Sequence, residues 1–134
     1  MSPLIATHAL LAMIALVCGG VALWARRQNA ARPTWHRFAG YAFVISMIGT
    51  ASTAFFIRST GDWSWHGFSP IHLLIPLAIA GIARTFWYLR HRNFVGHHRV
   101  MQMVYVGGCV VAGLFTLTPD RIIGRWLWSS LGAI

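Results

Sequence analysis

Four apolar runs, each about 20 residues long, restrict what this chain can fold into. They extend over roughly 4–25, 36–57, 70–89 and 98–117, and a helix of about 20 residues crosses the roughly 30 Å hydrocarbon core of a bilayer. Backbone polar groups cannot remain unpaired in lipid, so we interpret runs of this length as helices. The sequence therefore predicts a single all-α domain over 1–134, an integral membrane four-helix bundle of up-down-up-down topology.

The composition agrees with a membrane environment. Hydrophobic residues make up 57% of the 134 residues and charged residues only 10%, whereas a soluble domain has about 25% charged residues. The net charge is +9, and every basic residue other than histidine is an arginine. A basic chain can bind nucleic acid, but these arginines cluster between the apolar runs, a pattern typical of membrane orientation. We therefore expect no nucleic-acid partner.

The distribution of arginine predicts the orientation. Most arginines flank the loops after the first and third runs: Arg26, Arg27, Arg32, Arg37, Arg90, Arg92 and Arg99. The other side has Arg58, Arg121 and Arg125 together with both aspartates. The positive-inside rule then places the arginine-rich loops in the cytoplasm and both chain ends outside. We expect a multi-pass protein of the bacterial inner membrane.

The segment over 120–134 is predicted to be a short interfacial helix on the outer surface. Ile122, Ile123, Trp126 and Leu127 can form one apolar stripe along it. A helix with one apolar face and tryptophan anchors lies in the plane of the headgroups. The expected partners therefore include the lipid bilayer, with its anionic lipids.

Four of the seven histidines lie near the starts of the four predicted helices. His8 and His72 open helices that start outside, and His36 and His98 open helices that start inside. The imidazoles thus form an outer level and an inner level. Spans one and three are diagonal partners in such a bundle, as are spans two and four. Each level could place two imidazoles across the core, the arrangement that a bis-histidine b-type haem requires.

Arginines accompany the histidines. Arg37 and Arg99 directly follow the inner-level histidines, and they could bind haem propionates, a lipid phosphate or the head group of a quinone. Arg84 lies about three turns beyond His72. It could extend to the interface, or bind an anionic group such as a propionate.

The fourth span has a polar stripe. His98, Gln102, Tyr105 and Cys109 fall on one face of a regular helix, and a polar stripe in a membrane helix usually points into the bundle and marks a function. The first span has instead a stripe of small residues, Ala12, Ala15, Gly19 and Ala22. Such a stripe either allows close helix packing or leaves space for a planar cofactor.

Several segments resemble a known family. WHRFAGY at the second span, GHHRVMQMVYVG at the fourth and GLFTLTPDRIIGRW after it are similar to the paired His-Arg signatures and flanking segments of bacterial predicted four-helix membrane proteins of unknown function. The resemblance covers most of the chain and departs at 98–101, where a tryptophan is often found. It implies a fold and no activity. A looser likeness, in arrangement only, is to transmembrane cytochromes b.

Two hypotheses from different classes follow. The first is an electron-transfer protein that binds b-type haem or interacts with quinone, with His8 and His72 as the leading ligands and His36 and His98 as the second set. The second is an accessory membrane subunit, without cofactor, that binds lipids and a larger membrane complex or a further copy of the chain. A transition metal bound directly by the same histidines is a further alternative.

Overall fold

The computed structural model of the protein describes residues 2–27, 33–58 and 64–133. Its helices are α1 (Pro3–Arg27), α2 (Pro33–Phe56), α3 (Leu74–Arg90), α4 (Phe94–Thr116) and α5 (Ile122–Ser130). A 3-10 turn over Pro70–Leu73 leads into α3. No β-strand occurs in these ranges, so the predicted all-α class is confirmed.

Four helices are long and apolar enough to cross a membrane, as the sequence predicts. Two of them begin three or four residues earlier than expected. α2 begins at Pro33, whose missing N–H costs nothing in a first turn. α4 begins at Phe94, because the Asn93 side chain accepts a hydrogen bond from the Gly96 N–H (2.9 Å) and caps the helix there.

Large apolar side chains cover the outside of the bundle. Leu10, Phe38 and Leu77 are each more than 60% exposed, on three different helices. An apolar surface on this scale would associate in water, whereas lipid is its natural solvent. The exposed surface is therefore the one that faces the acyl chains.

The buried core is small and takes residues from all four long helices. Ala15 of α1, Phe43 and Met47 of α2, Ile82 of α3 and Val104 of α4 pack together. Such contacts stabilise a membrane bundle by dispersion, since lipid supplies no hydrophobic driving force between helices.

Gly19 lies at a close contact of α1 with side chains of α4 and α2. A Cβ on this residue would lie 2.5 Å from Cδ2 of Tyr105 and 2.9 Å from Cδ2 of Phe43. The stripe of small residues on α1 therefore serves close packing at this level. No planar cofactor has room between Gly19 and the two rings.

One turn of α4, Val106–Val111, is a π-helix. The turn contains the pair Gly107 and Gly108, and glycine pairs are common where a helix departs from regular hydrogen bonding. A π turn changes the angular relation between the residues on its two sides. The faces of α4 before and after it therefore cannot be read from one regular helical period.

The segment after α4 forms the predicted helix. The indole Nε1–H of Trp128 donates a hydrogen bond to the Leu117 carbonyl (2.8 Å), and Gly124 packs so closely on the Thr118 backbone that a Cβ has no space. Ile122 and Trp126 are exposed on the predicted stripe. The position of α5 on the outer surface stays a prediction.

Candidate functional site

The site lies where α1 ends and α2 begins, which we call the His36 end of the bundle. His36 is the fourth residue of α2, and its Nδ1 lies 2.9 Å from the Ala22 carbonyl of α1. A carbonyl oxygen only accepts hydrogen bonds, so Nδ1 carries the proton. The lone pair of the neutral ring is then on Nε2, on the far side of the ring from α1.

His97 occupies the matching position on α4, again as the fourth residue of its helix. Its Nδ1 lies 2.7 Å from Oγ1 of Thr85, a side chain that is only 1% exposed. The Thr85 hydroxyl also lies 3.3 Å from the His97 carbonyl; with its hydrogen directed there, the hydroxyl accepts from Nδ1–H, and the lone pair of His97 is then on Nε2.

The two rings meet across the bundle. Their centroids are 6.4 Å apart and their planes are nearly perpendicular, at 81°. α2 and α4 supply the rings. The Ala22 carbonyl of α1 contacts Nδ1 of His36, and the Thr85 hydroxyl of α3 contacts Nδ1 of His97. All four long helices thus contribute to one pair of imidazoles, and in the Nδ1–H tautomers both Nε2 atoms keep a lone pair available for a metal.

His98, the expected partner of His36, lies elsewhere. It is exposed, and its Nε2 accepts a hydrogen bond from the Gln102 side-chain nitrogen (3.2 Å), which is exposed as well. Consecutive residues on a helix point about 100° apart, and the rotation of α4 turns His97 inward. The sequence has no feature that sets this rotation.

The rest of the polar stripe on α4 packs inside the bundle. The Tyr105 hydroxyl donates to the Leu16 carbonyl of α1 (3.1 Å), and its ring packs against Phe43 at a centroid distance of 6.0 Å. The Cys109 thiol lies 3.8 Å from the Met47 sulfur. These contacts join α4 to α1 and α2, and they give Tyr105 and Cys109 a packing role.

The two outer-level histidines contact the last turns of α2 and the residue just after it. His8 Nδ1 donates to the Thr50 carbonyl (3.1 Å) and lies 3.0 Å from Thr53 Oγ1, which leaves its Nε2 lone pair available. His72 Nε2 lies 3.0 Å from the Ile57 carbonyl, while its Nδ1 accepts from the Ser69 N–H (3.0 Å). Both nitrogens of His72 are therefore occupied, and this ring has no lone pair for a metal.

The three arginines of interest are all exposed. Arg37 lines a shallow depression with Thr34, Phe38 and Tyr41. Arg84 donates from Nε to the Tyr88 hydroxyl (3.1 Å), and its guanidinium lies over the Tyr88 ring of the same helix. Arg84 is thus held along α3, while Arg37 and Arg99 remain near the His36 end.

Metal ligands are sparse in the described ranges. They contain no group of three or more His, Cys, Asp or Glu side chains placed to hold a metal ion. The His36–His97 pair is accordingly a two-nitrogen site.

Comparison with known proteins gives one match. The family of description "Predicted membrane protein (DUF2306)" matches residues 5–128, which is most of the chain. Neither the curated proteins nor the solved structures contain a significant match.

Proposed function

Because the chain belongs to DUF2306, a family of predicted membrane proteins of unknown function, its activity has to be inferred from its site; we propose that it is an electron-transfer protein that holds a b-type haem between His36 and His97. The haem iron would supply reversible one-electron exchange within the membrane. The two imidazoles would serve as its axial ligands.

The distance between the rings is the observation that carries this proposal. An imidazole nitrogen binds a transition metal at about 2.0–2.1 Å, so two rings on opposite sides of one metal have centroids roughly 6–6.5 Å apart. The observed separation is 6.4 Å. Rings that meet at a tetrahedral angle would be closer, at about 5 Å. The spacing suits ligands on opposite faces of a planar cofactor.

The hydrogen bonds to Nδ1 support the same conclusion. Ligating histidines almost always donate their second N–H to a carbonyl, a carboxylate or a similar acceptor, which sets the tautomer and holds the ring. The Ala22 carbonyl does this for His36, and the buried Thr85 hydroxyl does it for His97. These contacts suit the tautomer in which each ring would bind a metal through Nε2.

The number of ligands favours haem over a bare ion. Structural zinc sites in proteins usually have four protein ligands and catalytic zinc sites three, whereas the described residues offer no such group. A porphyrin supplies four nitrogens itself and needs only two axial ligands from the protein. In this proposal Arg37 and Arg99 are the cations available to the two propionates at the His36 end.

The absorbance spectrum of the purified protein tests the proposal. Protein produced with haem available should show a Soret band and sharp α-bands on reduction, which indicate six-coordinate, low-spin iron. His36→Ala and His97→Ala should each abolish that spectrum, because six-coordination needs both imidazoles. His98→Ala is the matched control, since it removes the neighbouring exposed ring, and it should leave the spectrum intact.

Three outcomes would contradict the assignment. A colourless wild-type protein would exclude haem, and its co-purification with a larger complex would support the accessory-subunit hypothesis. Bound zinc or copper without haem absorbance would support direct metal binding. A haem spectrum that needs His8 and His72 but not His97 would place the cofactor at the outer level.

The orientation belongs to the same proposal. The described arginines Arg26, Arg37, Arg90, Arg92 and Arg99 lie at the His36 end, so we propose that this end faces the cytoplasm of a bacterium and that both chain ends lie outside. The haem would then sit near the cytoplasmic surface of the inner membrane. Its position there would make it accessible to a cytoplasmic or membrane-bound electron donor.

A further inference from the structure

A groove runs along the outside of α3 at the end opposite to His36. It has a volume of about 570 Å³, and its lining includes Phe55, Phe68, His72, Ile75, Ile79 and Ala83. Aromatic side chains line the end of the groove near the start of α3, and aliphatic side chains line the rest, further along that helix. The groove opens on the surface that faces lipid.

A tight turn over 65–68 forms the aromatic end of the groove. Trp65 and Phe68 exchange backbone hydrogen bonds (2.7 and 2.9 Å), and the two residues between them, His66 and Gly67, both have positive φ angles of 52° and 84°. This geometry is that of a type I′ turn, in which glycine is favoured. The turn directs Phe68 onto Phe55 and the His72 ring, at centroid distances of 5.9 and 5.2 Å.

His72 holds this arrangement in place. Its Nε2 binds the Ile57 carbonyl just after α2, and its Nδ1 binds Ser69 just before α3. One ring therefore joins the end of α2 to the start of α3. These hydrogen bonds hold the end of the groove at which the His72 ring lies.

A cation lies at the mouth of the groove. The Arg58 guanidinium is 4.4 Å from the centroid of Phe68, and its aliphatic stem lies against Gly67, where a Cβ would be 3.0 Å from Cδ. A guanidinium has its N–H donors in its own plane and can bind a phosphate in a bidentate manner while it lies over a ring. Arg58 is exposed at this position.

The length of the groove matches one leaflet of a bilayer. Eleven residues separate His72 from Ala83, a rise of roughly 16 Å along a helix. Half of the hydrocarbon core is about 15 Å thick. With Arg58 at the headgroup level, a groove of this length would reach the middle of the membrane.

We propose that this groove binds one anionic phospholipid, with an acyl chain along α3 and its phosphate group on Arg58. The aliphatic floor suits an acyl chain, and the small side chains of Ala80 and Ala83 leave space for it. The positive charge selects anionic head groups over zwitterionic ones. The inference is independent of the haem at the other end of the bundle.

Native mass spectrometry of the full chain with equal amounts of phosphatidylglycerol and phosphatidylcholine tests the proposal. The wild type should retain the anionic lipid in preference, by roughly fivefold, the effect of one basic residue at an anionic surface. Arg58→Gln should remove that preference. Arg125→Gln, the matched control at the same end of the bundle, should keep it.

A second variant separates the groove from the charge. Ala83→Leu narrows the aliphatic part and should lower the occupancy of both lipids while it leaves their ratio unchanged. Equal retention of the two lipids by the wild type would overturn the proposal. An equal loss in the Arg58 and Arg125 variants would do the same, as would a lipid-free dimer in which a second copy covers the groove.

Discussion

At the scale of single residues, Thr85 is the buried polar residue that contacts His97 and so supports the His36–His97 pair. Thr85→Val keeps nearly the same shape but removes the acceptor of His97 Nδ1–H. We expect the variant to lose about 1–2 kcal/mol of stability, because a buried donor loses its partner. Thermal unfolding in detergent measures this loss. Thr116→Val is the control, since the Thr116 hydroxyl bonds only to its own helix (3.0 Å) and an equal loss there would contradict the argument.

Gly19 is a residue at which α1 packs tightly against side chains of α2 and α4. Gly19→Ala would bring a Cβ against Tyr105 and Phe43, and neither ring can move without disturbing the core. We expect a loss of about 1–3 kcal/mol from overpacking. Gly40→Ala adds the same methyl group to α2 where nothing lies within 4 Å, so it should be neutral or slightly stabilising. Unfolding midpoints in one detergent compare the two, and similar losses would show that helix proximity is not the cause.

The histidines show what sequence reasoning can and cannot reach at this scale. Their periodic placement at the helix starts is visible in the sequence, and so is their division into two levels. Whether His97 or His98 points inward depends on the rotation of α4, which is set by packing against Thr85 and not by any local motif. The occupation of both His72 nitrogens depends on the Ile57 carbonyl, fifteen residues away.

At the scale of elements, α4 departs most from expectation. The polar stripe over His98, Gln102, Tyr105 and Cys109 assumes a regular helix, but the stripe passes into a π turn at Val106–Val111. Tyr105 and Cys109 pack on α1 and α2, whereas His98 and Gln102 are exposed. A single sequence cannot reveal a π turn, because the same residues satisfy both helical forms.

The C-terminal helix α5 allows a direct test of its position. Spin labels on the stripe at Ile122 and Trp126 should be accessible to oxygen dissolved in lipid, whereas a label at Arg125 should be accessible to a water-soluble nickel reagent. The labelled variants need a background without Cys18 and Cys109, both of which are free thiols. Uniform accessibility to the aqueous reagent would show that α5 does not lie in the headgroup zone. In that case its contacts with Leu117 and Thr118 alone would hold it.

At the scale of the whole molecule, hydropathy and helix length suffice for the architecture. The four spans follow from them because each run is long enough to cross the bilayer and too long for a strand. Hydropathy does not show which faces of the helices pack against one another, since most positions around each helix are apolar. Contacts such as Gly19 with Tyr105, or Met47 with Cys109, select the rotation of each helix through shape. Shape complementarity between apolar faces leaves little trace in a single sequence.

The topology is the last prediction, and it concerns the whole chain. Seven arginines flank the two connections at the His36 end, against three at the other end, Arg58, Arg121 and Arg125. Positive charge is retained on the cytoplasmic side during insertion, so both chain ends should lie outside. Alkaline phosphatase fused after Ile134 should therefore be active and green fluorescent protein dark, while the fluorescent reporter fused after Arg92 should be bright. A bright reporter at Ile134 with a dark one at Arg92 would reverse the orientation and move the proposed haem to the outer surface.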